Sequence, residues 1–160
     1  MHNLKWVLLI VFADQATKIL ASTYLNYLEP VSLASFFNLT LVHNTGAAFS
    51  FLSDAGGWQR WMFAVIAIAV SAFIIGWLRK LKPEEKLLSW ALVLVLAGAV
   101  GNLIDRIGLG YVVDFLDFHW AGYHFPAFNI ADIAISVGAF LMVIDALFSG
   151  RAPSGEQRES

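Results

Sequence analysis

Apolar residues dominate four long stretches of the sequence, and polar residues gather between them. The stretches run from about residue 4 to 24, 61 to 78, 87 to 104 and 130 to 148. A helix needs roughly 20 apolar residues to cross a bilayer. None of the stretches has the period-two alternation of a barrel strand. The pattern therefore predicts an all-α membrane protein with four transmembrane helices.

Basic residues are distributed unevenly among the connections. Lys5 precedes the first stretch, the connection Arg79–Lys86 is rich in lysine and arginine, and Arg151 follows the fourth stretch. The positive-inside rule then places both termini and the Arg79–Lys86 connection in the cytoplasm. Residues 26–59 and 105–129 are expected on the opposite face of the membrane.

The two outer connections differ in character. Residues 30–53 are rich in β-branched and aromatic residues with partial alternation, which predicts a small extracytoplasmic β-rich segment. Residues 105–129 are expected to form a second outer loop. We expect one integral membrane domain over residues 1–150 and a polar cytoplasmic tail over residues 151–160. Cleavage of the first stretch as a signal peptide is the weaker interpretation, because charged residues interrupt it.

Composition supports a membrane protein and excludes several kinds of chemistry. Hydrophobic residues make up 59% of the 160 residues and charged residues 14%, against about a quarter charged in soluble domains. A net charge of −2 without a basic stripe gives no sign of a nucleic-acid partner. There are no cysteines, the four histidines lack zinc-site spacing, and no GxSxG motif occurs. We therefore expect no metal and no cofactor.

Charged residues interrupt the first stretch. Asp14 and Lys18 are four positions apart, so they share one face of a helix and can form an ion pair. We favour a structural role for this pair over direct chemistry.

A polar face occurs at the end of the third stretch, where Gly98, Asn102 and Arg106 follow one another at four-residue spacing. Gly98 would allow a helix or a substrate backbone to approach closely. Asn102 and Arg106 would donate hydrogen bonds to peptide carbonyls or carboxylates. Ordinary helix packing with a boundary arginine is the alternative interpretation.

Two carboxylates flank the start of the fourth stretch. Asp114 follows a short apolar run in the second outer loop, and Asp132 lies 18 positions later with Asn129 three residues before it. Asp132 and Asn129 could serve only to cap the helix. Two carboxylates in a poorly solvated site cannot both ionise easily, so one can activate water while the other donates a proton. This pattern predicts aspartic peptide hydrolysis, with Asp105 and Asp117 as loop or capping groups.

Five short motifs occur together in this chain. In order they are DQATK at 14–18, NTGAAFS at 44–50, GNLIDR at 101–106, VVDF at 112–115 and FNIAD at 128–132. With these motifs the sequence resembles lipoprotein signal peptidase, the bacterial signal peptidase II family. The resemblance covers the whole chain apart from the tail.

The resemblance implies an aspartic endopeptidase of the bacterial inner membrane whose active site faces the periplasmic leaflet. It would remove signal peptides from prolipoproteins, cutting before a cysteine that carries diacylglycerol, and it would be inhibited by globomycin-type and myxovirescin-type antibiotics. By the match Asp114 and Asp132 are the catalytic dyad. The positions implied to line the substrate pocket or to support the dyad are Asn44, Gly98, Asn102, Arg106, Asn129, Asp14 and Lys18. The short tail and compact bundle favour a monomer.

Two other classes of protein are also compatible with carboxylates at a membrane edge. One is a small carboxylate-dependent transporter, although the chain shows neither an inverted repeat nor a broken helix. The other is a lipid-binding assembly factor, in which Asp114 and Asp132 would each be dispensable.

Overall fold

The structure is a computed structural model that describes residues 3–46 and 57–148. Within these ranges the helices are α1 (Leu4–Tyr24), α2 (Trp58–Leu78), α3 (Lys86–Gly108) and α4 (Ile130–Phe148). The strands are β1 (Val31–Ala34), β2 (Phe37–Asn44), β3 (Val112–Trp120) and β4 (Tyr123–His124). The helices form a bundle, and the strands form a sheet at one end of it.

Helices α2, α3 and α4 are each long and apolar enough to cross a membrane. Helix α1 has the same length as α2 but carries Asp14 at its centre and Lys18 one turn later, and it is not among these three. Helix α3 contacts all the other helices, and its Leu92 and Val93 are fully buried. The outer faces of α2 and α4 expose large apolar side chains such as Phe140, as expected of helices that contact lipid.

Close approach of α3 and α4 depends on glycines. A Cβ atom on Gly98 would collide with the backbone oxygen of Ala131 and would lie 2.6 Å from Cγ1 of Ile135. A Cβ atom on Gly138 would lie 2.7 Å from the backbone oxygen of Ala91. Small residues at such positions let two helix backbones pack against each other.

The four strands form one sheet in the order β1-β2-β3-β4, and all neighbours are antiparallel. The predicted β-rich segment is confirmed in its described part, where β1 and β2 form a hairpin. The second outer loop contains β3 and β4, and the pairing of β3 with the first outer segment was not predicted. Strand β3 forms by pairing with β2 across about 70 residues of sequence, as in the pairs Val42–Asp114 and Asn44–Val112.

Two helices are longer than predicted. Helix α3 continues to Gly108, four residues beyond the predicted end, and α2 begins at Trp58 rather than at residue 61. Asp105, expected in a loop, is therefore helical, and it is only 3% exposed. The polar residues after position 104 were interpreted as the end of the third helix. The helix continues through them because they have partners inside the bundle. The predicted tail, residues 151–160, and residues 47–53 of the outer segment lie outside the described residues.

Candidate active site

Asp114 and Asp132 come together because β3 is tied to the chain that enters α4. Leu116 in β3 accepts a hydrogen bond from the backbone N–H of Phe128 at 3.1 Å, and its own N–H donates to the Phe128 carbonyl at 2.9 Å. This bridge places Asn129, the residue before α4, beside the middle of β3. Asp114 and Asp132 then lie on either side of Asn129.

Asn129 is fully buried and contacts both carboxylates. Its Nδ2 donates to Oδ1 of Asp114 at 2.7 Å, and its backbone N–H donates to Oδ2 of Asp132 at 3.2 Å. In return its Oδ1 accepts the backbone N–H of Asp132 at 2.9 Å. The reciprocal bonds between residues 129 and 132 form a capping box at the start of α4. The capping interpretation is thus confirmed, and the same contacts hold the two aspartates to one residue.

Two further asparagines complete the orientation of the carboxylates. Nδ2 of Asn44 donates to Oδ2 of Asp114 at 3.0 Å, and Nδ2 of Asn102 donates to Oδ1 of Asp132 at 2.8 Å. Each of the four carboxylate oxygens therefore accepts a hydrogen bond from a neutral N–H donor. In the described part of the chain no ion pair reaches either carboxylate.

The electrostatic setting of Asp114 favours its protonated form. The side chain is buried, with 1% of the residue exposed. Burial, followed by the nearby charge of Asp132, raises the pKa of Asp114 from 3.8 to about 7, and the hydrogen bonds from Asn44 and Asn129 oppose this rise. A carboxyl with this pKa retains a proton in a substantial fraction of molecules at neutral pH.

A buried ion cluster lies next to the two aspartates. Nζ of Lys18 is 2.9 Å from Oδ2 of Asp14 and 2.9 Å from Oδ2 of Asp105. The same nitrogen donates to Oδ1 of Asn102 at 2.9 Å, and Asn102 in turn contacts Asp132. The predicted ion pair of Asp14 and Lys18 is confirmed. Asp105 is a third member that the sequence interpretation assigned to a loop.

The acidic members of this cluster also fix the backbone beside each aspartate of the site. Oδ2 of Asp105 accepts the backbone N–H of Val113 at 3.0 Å, one residue before Asp114. Oδ1 of Asp14 accepts the backbone N–H of Ala131 at 2.8 Å, one residue before Asp132.

Gln15 was also missed in the sequence. Its Nε2 donates to Oδ1 of Asp105 at 2.9 Å and to the backbone oxygen of Gly101 at 3.1 Å. For Asp105 the sequence did contain a signal, because this residue lies three positions after Asn102 and therefore on the same helix face.

Arg106 links α3 to the turn after β2. Its guanidinium donates to the backbone oxygens of Asn102 at 3.4 Å and Gly46 at 3.3 Å, and it lies over the ring of Phe63. Gly98 lies at the contact between α3 and α4. Sequence therefore predicted the members of the polar face, and the structure divides them between the site and helix packing.

A cavity of about 550 Å³ opens beside Asp132. Its polar wall contains Asn44, Asn102 and Arg106, and its apolar wall contains Phe128, Ile133 and Val137 among others. Within residues 3–46 and 57–148 no group of three or more His, Cys, Asp or Glu residues is arranged to hold a metal ion. The polar side chains that line this cavity are those of Asp132, Asn44, Asn102, Arg106 and Ser136.

Apolar helices thus bring two aspartates together, one of which lines a partly apolar cavity, and this arrangement is compatible with a membrane-embedded aspartic hydrolase. The sequence model of the signal peptidase (SPase) II family, Peptidase_A8, matches residues 6–148. The chain therefore belongs to the signal peptidase II family, and it is an aspartic-type peptidase by that membership. The resemblance described above is confirmed.

Similar proteins cover nearly the whole chain. A lipoprotein signal peptidase from Acinetobacter baumannii is 55% identical over 150 residues, which span 92% of this chain and 85% of that protein. One from Shewanella loihica is 53% identical over 152 residues, spanning 94% and 89%. A bacterial membrane enzyme solved by the in meso method at 2.3 Å superposes with a TM-score of 0.84 at 31% identity, covering 100% of this chain and 96% of that one. Among the three classes considered, these similarities favour the peptidase.

Proposed function

We propose that this protein is the aspartic endopeptidase that removes signal peptides from diacylglyceryl-modified prolipoproteins, with Asp114 and Asp132 as its catalytic dyad. Family membership supports signal-peptide removal from prolipoproteins. The observation that carries the assignment of the dyad is the position of Asn129, which donates a hydrogen bond to each carboxylate at 2.7 and 3.2 Å. The scissile bond is the one before the lipidated cysteine.

The reaction uses the two carboxyls as a base and an acid. The ionised member takes a proton from a water molecule, and the water oxygen bonds to the scissile carbonyl carbon. The protonated member gives its proton to the carbonyl oxygen, which produces a tetrahedral diol. The carboxyl that gained the water proton then protonates the amide nitrogen, the C–N bond breaks, and a diol proton returns to the other carboxylate. The products are a free carboxylate and a new amino terminus, and the dyad recovers its single proton.

We place α1 in the membrane as a fourth spanning helix. It has 21 residues, which gives a length of about 30 Å. Leu8, Phe12 and Ile19 are 65–74% exposed and share one face, which suits contact with lipid. Asp14 and Lys18 point the other way and satisfy each other inside the bundle. The distribution of basic residues then favours cytoplasmic termini and a dyad at the periplasmic side of the inner membrane.

The cavity beside Asp132 suits a lipid-anchored peptide. Its apolar wall includes Ile133 and Val137, which are 40% and 43% exposed on α4 and so continue onto the surface of a helix that faces lipid. Asn44, Asn102 and Arg106 supply donors for the peptide backbone on the other wall. A substrate reaching this cavity from the bilayer would not have to enter bulk water. Globomycin-type and myxovirescin-type inhibitors would occupy the same cavity in one monomeric domain of residues 1–150.

The test is cleavage of a lipidated precursor by protein reconstituted in liposomes. Asp114→Asn and Asp132→Asn should each lower turnover by about 10²–10⁴-fold, because each removes one partner in proton transfer. Asp117→Asn is the matched control. That carboxylate is also buried in β3, but it accepts hydrogen bonds from Thr40 and His124 and none from Asn129.

Near-normal turnover by a folded variant of either dyad residue would contradict the proposal and would favour the transporter or the assembly factor. Inhibition by a chelator that added metal reverses would contradict the mechanism.

A further inference from the structure

A second cavity, of about 460 Å³, opens at the other end of the bundle. It lies between the start of α1, the end of α2 and the start of α3. Arg106 at the candidate active site lies 20 residues along α3 from Lys86 in this cavity, which corresponds to about 30 Å. This separation is close to the thickness of the hydrocarbon core. The cavity is therefore distinct from the active site and belongs to the opposite membrane surface.

The charges that line this cavity are mainly positive. Arg79, Lys82 and Lys86 contribute cations, and all three side chains are exposed. Glu85 is the acidic residue in the lining, and its Oε2 accepts the backbone N–H of Lys82 at 2.7 Å. Among the described residues no carboxylate lies within ion-pair distance of any of the three cations. The lining therefore has a formal charge of +2 and free N–H donors on its cations.

An apolar wall accompanies these cations. Ile75 and Leu78 line the cavity from the last turn of α2, and Trp90 lines it from α3. The Trp90 ring is 38% exposed and lies 5.5 Å from the ring of Trp6 on α1. Tryptophan favours the level of lipid head groups, where one edge of its ring is apolar and the other is hydrated. Helix α3 also begins here without a side-chain cap and without an acidic residue in its first turn.

We propose that this cavity binds an anionic phospholipid, with the phosphodiester on Arg79, Lys82 and Lys86 and an acyl chain along Ile75 and Leu78. A basic pocket between membrane helices at the head-group level has the chemistry that recognises such lipids. The positive-inside rule accounts for the sign of the charges, but it does not require a cavity that combines them with an apolar wall. A free phosphate ion would use the cations and leave the apolar wall without an occupant.

The test is a lipid titration of the full-length protein in neutral detergent, read by native mass spectrometry. Wild type should bind phosphatidylglycerol more tightly than phosphatidylcholine. The variant Arg79→Gln/Lys86→Gln should lose about 25-fold in affinity for phosphatidylglycerol, since each cation near a membrane surface contributes about a factor of five. Lys5→Gln/Lys80→Gln is the matched control. It removes two charges from the same end of the bundle but none from the cavity lining, and it should bind within about two-fold of wild type.

Two further variants separate the lipid from other anions. Arg79→Lys/Lys86→Arg keeps both charges and should retain the preference for phosphatidylglycerol. Leu78→Trp keeps every charge but fills the apolar wall, so it should weaken lipid binding and leave binding of inorganic phosphate unchanged. Thermal unfolding in phosphatidylcholine checks that each variant is folded.

Three results would overturn the proposal. One is equal loss in the Lys5 and Lys80 control, which would show general surface attraction. Another is equal binding of phosphatidylglycerol and phosphatidylcholine by wild type. The third is complete displacement of phosphatidylglycerol by millimolar inorganic phosphate.

Discussion

Removal of Lys18 is the most direct test of how the bundle supports the site. The Lys18 side chain is 3% exposed and lies between two carboxylates, Asp14 and Asp105, each at 2.9 Å and each almost fully buried. Lys18→Met keeps the length and the apolar stem of the side chain but leaves two carboxylates facing each other without a counter-charge. It also removes the hydrogen bond to Asn102, which orients Asp132.

The expected loss of stability is large. Breaking a buried ion pair by removing one partner costs about 3–5 kcal/mol, because the remaining charge is left without compensation. For a chain of this size each kcal/mol corresponds to about 2–4 °C, so the unfolding midpoint should fall by about 10 °C. Replacing the acids as well should recover much of the loss, since a neutral cluster of similar volume carries no unpaired charge.

The assay is thermal unfolding in detergent of wild type, Lys18→Met and the triple variant Lys18→Met/Asp14→Asn/Asp105→Asn. Lys80→Met is the control, because Lys80 is exposed and its loss should change the free energy of unfolding by no more than about 0.5 kcal/mol. A Lys18→Met midpoint as close to wild type as that of the control would refute the assignment of a stabilising ion cluster. So would a triple variant that is less stable than Lys18→Met alone.

Three further predictions concern the helix contact and the dyad. Gly98→Ala should lower the free energy of chemical unfolding by about 1–3 kcal/mol, because its Cβ would collide with α4. The control is Gly76→Ala, whose Cβ would meet nothing within 4 Å, and it should be neutral or stabilising by up to about 1 kcal/mol. Equal effects of the two substitutions would argue against close packing of α3 and α4. Asn129→Ala should lower turnover about 10²-fold by releasing both carboxylates and cost about 1 kcal/mol through the lost cap; unchanged turnover would remove its positioning role. Because the pKa of Asp114 is raised from 3.8 to about 7, the folded state binds its proton more tightly than the unfolded state, so this contribution to stability is full below pH 3.8 and lost as the pH rises through 7. In Asp114→Asn the free energy of unfolding should therefore lack this decline with rising pH. If the free energies of unfolding of the variant and of wild type changed with pH in parallel, the raised pKa would be contradicted.

The helical part of the fold was predictable because apolar runs of membrane length leave few alternatives. Residues 4–24 and 130–148 were predicted with the bounds that α1 and α4 have. The same reasoning ended the third helix too early, at residue 104, because it treated Asp105 as a polar boundary. A charge in a helix is tolerated when its partner comes from another helix, and Lys18 lies 87 positions away in sequence.

The pairing of the two outer segments was not predictable in the same way. Each half of the β2–β3 ladder has a strand-like local pattern, but nothing local states that Val42 pairs with Asp114. The candidate site depended less on this pairing, because the polar residues at the helix ends and the five motifs already named Asp114, Asp132 and the asparagines. The sequence did not show that each carboxylate oxygen of Asp114 and Asp132 accepts a hydrogen bond from its own N–H donor.

The hydrogen bonds from Val113 to Asp105 and from Ala131 to Asp14 have a consequence for precision. Both acids are bound to the same ammonium group of Lys18. Lys18 therefore links the strand that carries Asp114 to the helix that carries Asp132. Because Asp14 and Lys18 belong to α1 and Asp105 belongs to α3, the separation between the two aspartates of the site depends on how closely α1 packs against α3. The positions of the two aspartates are connected through one short chain of contacts, which runs from Val113 through Asp105, Lys18 and Asp14 to Ala131.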